Sequence, residues 1–221
     1  MSDSIISFIK NRFMFSMFLL IVIYLVGVVT VLSGHTDSLM LLTPYNLVFA
    51  TFIILYNAEG FGKTYLGWFG LIALAGYLIE LTGILTGVLF GEYTYGAGLG
   101  IKLFDVPLII GVNWAVLVFT TAALVDCFHW SVWLKSAAAA TLMVSYDILL
   151  EPVAIRFDFW SWAGGTIPIQ NYAAWWIIAF FMLLGTFRFV ANRKNRLALP
   201  VILIQTIFFI IVIIQQGLSL R

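Results

Sequence analysis

Seven long apolar stretches run through this chain, joined by connections too short to hold a separate domain. They cover Phe13–Leu32, Leu41–Tyr56, Tyr65–Phe90, Val106–Phe128, Ser136–Ile155, Tyr172–Val190 and Leu197–Leu218. About 20 apolar residues span a bilayer as a helix. Lipid offers backbone N–H and C=O groups no partner, so a helix or a closed barrel is required there. The pattern predicts an all-α integral membrane protein, a bundle of about seven transmembrane helices forming a single domain over residues 1–221. Composition agrees: the chain is 63% hydrophobic and 10% charged, where a soluble domain has about 45–50% and about 25%. A soluble globule, a disordered tail and a nucleic-acid binder are excluded. The net charge of +1 implies no acidic partner. A single cysteine, Cys127, excludes an internal disulfide, and two histidines exclude a His-rich metal cluster.

The first stretch follows Lys10 and Arg12, as a signal peptide would, but it is too long and lacks a small-residue cleavage site, so it is read as a retained helix. The second is the weakest, with Pro44 near its start and Asn46 inside it. If the N-terminus is cytoplasmic, Lys10, Arg12, Lys63, Lys135, Arg188, Arg193, Lys194 and Arg196 fall inside and Lys102, Arg156 and Arg221 outside. That excess fits the positive-inside rule, with the C-terminus outside.

Ionisable groups inside a span cost about 2.5–3.5 kcal/mol each on insertion scales, so they point to function. Glu80 lies deep in the third stretch, with Gly76 before it and Gly83, Gly87 and Gly91 after it. Small residues at four-residue spacing let another helix approach, so Glu80 is expected to face protein, either as a structural hydrogen-bonding group or as part of a site. Asp147 and Glu151 are four apart and share one helix face. Two carboxyls held so close favour a proton on one of them, as a general acid needs. The alternative is a pair neutralised by Arg156. Pro152 is expected to kink that helix or break its ladder. Asp126, near His129 and Lys135, is read as an interfacial charge without a catalytic role.

With the N-terminus inside, Glu80, Asn113, Asp147, Glu151 and Asn171 all fall beyond the midplane on the same side. Their convergence predicts one polar pocket with apolar walls. The loops on that side are aromatic: Gly91-Glu92-Tyr93-Thr94-Tyr95-Gly96, Phe157 to Trp162, and Trp175-Trp176. Most of these rings are expected in an interfacial belt, and a minority as pocket walls whose π faces stabilise a cation.

Several chemistries are excluded. No span carries the mid-depth lysine of a retinal Schiff base, and His35 and His129 cannot supply a di-iron site. Tyr146-Asp147 lacks the second half of an intramembrane aspartyl protease, and no Gly-x-Ser-x-Gly or nucleotide-binding glycine pattern is present. Acid chemistry on an apolar substrate, transport, or a structural role remains.

Further motifs carry a resemblance. Glu80 to Gly91 followed by Glu92-Tyr93-Thr94-Tyr95, then Gly98-Leu99-Gly100, Val106-Pro107 and Trp114, is one set. Asp147-x-x-x-Glu151-Pro152-Val153-Ala154, Trp160-Ser161-Trp162, Ile167-Pro168-x-x-Asn171 and Trp175 form the other. In order and spacing these resemble the membrane-integral carotenoid biosynthesis family of acyclic carotenoid hydratases, which is distantly similar to small membrane lycopene cyclases. The likeness covers Glu80–Trp176; Gly164-Gly165-Thr166 departs from it, standing where a tyrosine is expected before the Ile-Pro.

The resemblance implies hydration of the terminal 1,2 (or 1′,2′) double bond of an acyclic carotenoid such as lycopene, γ-carotene or a C50 precursor, without a cofactor. It implies a buried carboxyl as proton donor, Asp147 or Glu151 with Glu80 next, and a water held by the second carboxylate and Asn171. Tyr93, Tyr95, Asn113, Trp114, Trp160, Asn171 and Trp175 would line the substrate site. The expected setting is the inner cell membrane. The expected partners are the bilayer, a membrane-dissolved carotenoid, and a second copy or other carotenoid enzymes. A cyclase using the same protonation, and a carotenoid-binding or transport protein, are the alternatives.

Overall fold

The computed structural model describes residues 11–217, excluding the side chains of residues 36–40 and 216. Lys10, Leu218 and Arg221, used above for boundaries and orientation, lie outside the described residues. Among the described residues seven helices follow one another: α1 Arg12–Leu32, α2 Thr36–Asn57, α3 Lys63–Thr86, α4 Leu108–Val125, α5 Val132–Arg156, α6 Ile169–Phe189 and α7 Ala198–Gln216. All but α2 are long and apolar enough to cross a membrane, and the apolar part of α2 is the shorter Leu41–Asn57.

Local chemistry sets the helix ends. The Asn11 side chain accepts the Met14 N–H at the start of α1, and Ser131 does the same for Leu134 in α5. Pro107 and Pro168 stand immediately before α4 and α6. The third apolar stretch was expected to continue to Phe90. Instead α3 stops at Thr86, because Gly87 takes a left-handed conformation (φ 64°) and caps it. Gly87 and Gly91 (φ 100°) are therefore turn glycines rather than helix-contact glycines. The expected break at Pro152 does not end α5, which runs on to Arg156. Proline removes one donor from the ladder, and burial of the residues around it holds that turn in place.

The close helix contact lies between α3 and α4. A Cβ on Gly111 would stand 2.3 Å from the Ala73 carbonyl oxygen, and one on Gly76 2.6 Å from the Trp114 side chain. Helix α4 packs against α2, α3, α5, α6 and α7 and is the most enclosed of the long helices.

At the end of the bundle where α3 and α5 finish and α4 and α6 begin, two short antiparallel pairings close the structure. Strand β1, Tyr93–Tyr95, pairs with β4, Trp160–Trp162, placing Tyr93 opposite Trp162 and Tyr95 opposite Trp160. Strands β2, Lys102–Leu103, and β3, Val106–Pro107, form the other pair.

Candidate active site

Alternation along a strand puts every second side chain on one face. Tyr93, Tyr95, Trp160 and Trp162 are accordingly buried on the inner face of the β1–β4 clasp, while Thr94 and Ser161 face out and lie 3.1 Å apart. Below the clasp is a cavity of about 490 Å³, mostly apolar in its lining. Phe157, Phe159, Trp160, Trp162 and Trp175 all line it, so the interfacial belt expected for most of these rings is corrected to a cavity wall. The cause is the strand pairing, which turns the Phe157–Trp162 segment inward.

All ten residues singled out from sequence reach this one cavity: Glu80, Tyr93, Tyr95, Asn113, Trp114, Asp147, Glu151, Trp160, Asn171 and Trp175. Helices α3, α4, α5 and α6 supply the polar groups because neighbouring helices run antiparallel. The late turns of α3 and α5 therefore meet the early turns of α4 and α6. Glu80, Asp147, Glu151 and Asn171 are each at most 3% exposed.

The three carboxyls differ in what holds them. Glu80 accepts three hydrogen bonds: Tyr93 Oη at 2.5 Å and Tyr95 Oη at 2.7 Å on Oε2, and Trp114 Nε1 at 2.8 Å on Oε1. Burial, and then the facing Glu80, push both phenols well above their ordinary value, which keeps them as hydroxyl donors. Glu151 accepts the indole N–H groups of Trp160 and Trp162 on Oε2, at 2.9 and 3.1 Å. The Asn171 amide stands 3.5 Å from its other oxygen and also reaches Asp147. Glu151 is 1% exposed with its Oε2 held by the two indoles, while Arg156 is exposed at the end of α5. Asp147 differs again: its Oδ2 is buried on the cavity wall with no hydrogen-bond partner among the described residues.

The rings are ordered around these groups. Trp114 stacks on Trp175 with centroids 4.1 Å apart, and Tyr93 packs against Trp162 at 5.1 Å. At the opposite end of the bundle, Asp126 meets Arg193 at 2.9 Å and Lys135 at 3.2 Å. Lys135 was the partner expected from sequence, and Arg193 enters from the loop after α6.

The family model for carotenoid biosynthesis protein matches residues 41–220. The chain belongs to the carotenoid biosynthesis protein family. It is 33% identical over 184 residues to a bisanhydrobacterioruberin hydratase of Haloarcula japonica, an alignment covering 75% of this chain and 61% of that one. The chain thus spans less than two thirds of that relative's length. No solved structure matches it.

This carotenoid biosynthesis protein opens its cavity on the outer surface of the bundle. The lining reaches the exposed side chains of Val22 and Val26 on α1 and of Leu42 and Tyr45 on α2, a largely apolar mouth. Polar lining residues outside the expected set include Tyr24, Gln205 and Tyr146. Their signal was present as isolated polar groups in otherwise apolar helices, Gln205 in α7 above all.

Proposed function

We propose that this protein hydrates the terminal double bond of an acyclic carotenoid end group, with Asp147 as the proton donor. The observation that carries this reading is the buried, unpartnered Oδ2 of Asp147 on the wall of an aromatic cavity. Glu80 and Glu151 have their oxygens engaged by N–H and O–H donors, and Asp147 has an oxygen left to carry a proton toward an alkene.

The O–H of Asp147 protonates C2 of the end group, the π bond breaks, and a tertiary cation forms at C1. Faces of Trp114 and Trp175, with Tyr95, offset that charge by about 2 kcal/mol or more in a desolvated pocket. The hydrogen bond from Trp114 to Glu80 ties that carboxyl group to the ring system. Water held beside Glu151 and the Asn171 amide adds its oxygen to C1 and gives one proton to Glu151, from which a proton returns to Asp147. The sum is one alkene plus one water to one tertiary alcohol, with no redox change. The hydratase name of the relative supports the reaction class.

The apolar mouth between α1 and α2 supports entry of the polyene sideways from the bilayer. The basic cluster around Arg193 at the far end supports an orientation with that end in the cytoplasm and the carboxyl site in the outer half of the inner membrane. The amide and paired carboxyls, all suited to holding water, favour hydration over cyclisation, which needs a dry pocket.

Expression in lycopene-producing cells tests the reading through pigment mass. A more polar product heavier by one water is expected. An isomer of unchanged mass would make the protein a cyclase, and unaltered pigment would remove the enzymatic reading for that substrate.

A further inference from the structure

Helices α1 and α2 are sealed together toward the Asn57 end. There Asn57 Nδ2 donates to Ser16 Oγ at 2.8 Å, and Leu20, Ile53 and Ile54 share a buried core with Leu197 and Val201 at the start of α7. Toward the other end both helices line the cavity instead, with Gly27 and Thr30 on α1, Thr43 on α2 and Phe208 on α7. Helix α1 lies wholly before residues 41–220, the part that matches the family, and still supplies one side of the mouth.

This slot makes little polar demand. Thr30 Oγ1 donates to the Val26 carbonyl one turn back at 2.8 Å, so its own helix takes up the hydroxyl. The polar side chains alongside engage one another. Tyr146 Oη donates to Gln205 Oε1 at 2.9 Å, and Gln205 Nε2 to Tyr24 Oη at 2.9 Å. With the Asn46 amide turned so that its oxygen faces Tyr24 at 3.4 Å, that hydroxyl ends the chain as a donor.

Gly27 shapes the slot by what it lacks. It is buried, and a Cβ there would stand 3.1 Å from Phe208 Cε2. Phe208 lines the cavity and packs at a steep angle to Tyr24, with centroids 5.7 Å apart. Any longer side chain at 27 has to displace this ring or enter the slot itself.

Continuity with the carboxyl site narrows the occupant. A cavity of about 490 Å³ suits a drug-sized ligand, and a carotenoid is far longer. With one end at Asp147, the rest of the chain has to leave by the apolar mouth between α1 and α2. A flat conjugated chain carrying only methyl branches fits a slot of small side chains and one ring.

We propose that Gly27, Thr30, Thr43 and Phe208 form a subsite for the conjugated stem of the carotenoid, and that the glycine sets the thickness of stem admitted. This rests on the carotenoid reading of the cavity and adds a specificity determinant away from the carboxyls.

The test is circular dichroism of the visible band of lycopene bound to the purified full chain in detergent, with protein in excess. A symmetric polyene is optically inactive when free and gains a signal when a chiral slot holds its stem. The wild type is expected to induce such a band. Gly27→Leu should weaken pigment binding, titrated by that band, about tenfold or more, as overfilling does. Adding Phe208→Ala should restore most of it. Thr30→Leu narrows the same slot away from the Gly27–Phe208 contact, and it decides the matter if melting curves show Gly27→Leu unfolded. Gly67→Leu, with open space around it, should bind like the wild type. An absent band in the wild type overturns the proposal, as does one that titrates alike in every slot variant or is lost equally in Gly67→Leu. A loss in Gly27→Leu that Phe208→Ala leaves untouched also overturns it. A band that responds as expected without hydrated pigment in any protein sinks the hydration reading and leaves the stem subsite standing. Hydration by the wild type with one affinity across all variants sinks the subsite alone.

Discussion

Asp147 and Glu151 stand one helical turn apart on α5, yet their oxygens are used differently: Glu151 receives two indole N–H groups on a single oxygen, while Asp147 keeps a buried oxygen without a partner. The proposed proton donor and water-holding base follow from this asymmetry. Asp147→Asn should lower conversion by about 10²–10⁴-fold, the usual worth of a positioned acid. Protein yield and melting temperature should barely change, because Asp147 Oδ2 holds nothing. Product analysis alongside a melting curve checks both halves, and a variant retaining a tenth of wild-type conversion would exonerate Asp147.

Trp160→Phe and Trp162→Phe each take one donor from Glu151 Oε2. Hydrogen bonds to a charged group contribute about 1.5–3 kcal/mol, so each variant should melt several degrees lower. Because the two donors share an acceptor, the double variant should lose more than the sum of the singles. Additive losses would show that the indoles act independently of Glu151.

Glu80→Gln replaces one acceptor oxygen by an NH₂ group that must face a phenol or indole donor. The expected outcome is a loss of about 2–4 kcal/mol, with the β1–β4 clasp loosened. Faster hydrogen exchange over Tyr93–Tyr95 and Trp160–Trp162 would report it, and unchanged protection there would separate Glu80 from the clasp.

Gly111→Ala places a methyl group 2.3 Å from the Ala73 carbonyl, a backbone atom that cannot turn away. Helices α3 and α4 must separate, at a cost of about 1–3 kcal/mol or more. Gly67→Ala, with open space around it, is the control and should melt like the wild type.

Asp126 lies just past the end of α4, where burial opposes its charge but Arg193 and Lys135 win and hold it below the usual carboxylate value. A lowered folded value stabilises the protein above the unfolded value of about 3.9 and ceases to do so as pH falls through the folded one. The melting temperature of the wild type should therefore drop as pH falls below about 4, in excess of any drop in Asp126→Asn. Parallel pH profiles would remove the cluster from the stability of that end.

Much of the site was legible because a buried carboxyl in an apolar helix has few explanations other than a pocket. Glu80, Asp147 and Glu151 stood out by cost alone, and alternating helix direction brought Asn113 and Asn171 to them. Helix ends were less legible: Gly87 reads equally as a packing glycine or a left-handed cap, and only the turn toward Glu92 decides. The roles of Trp160 and Trp162 depended on pairing across more than sixty residues with Tyr93–Tyr95, a long-range register that local periodicity does not carry. The Tyr24–Gln205–Tyr146 chain was hidden for the same reason, since its members are single polar residues on separate helices.

The mouth framed by Val22, Val26, Leu42 and Tyr45 sets the kind of encounter this protein lives by. If the ligand is the membrane-dissolved polyene proposed above, one arriving there never crosses water, and what governs occupancy is its areal density in the surrounding leaflet and the packing of its lipid neighbours. Catalytic output should then track membrane fluidity and pigment-to-lipid ratio more closely than any bulk concentration. On the same proposal, a long polyene with two similar ends can also leave, tumble in the plane, and present its other terminus to the same doorway.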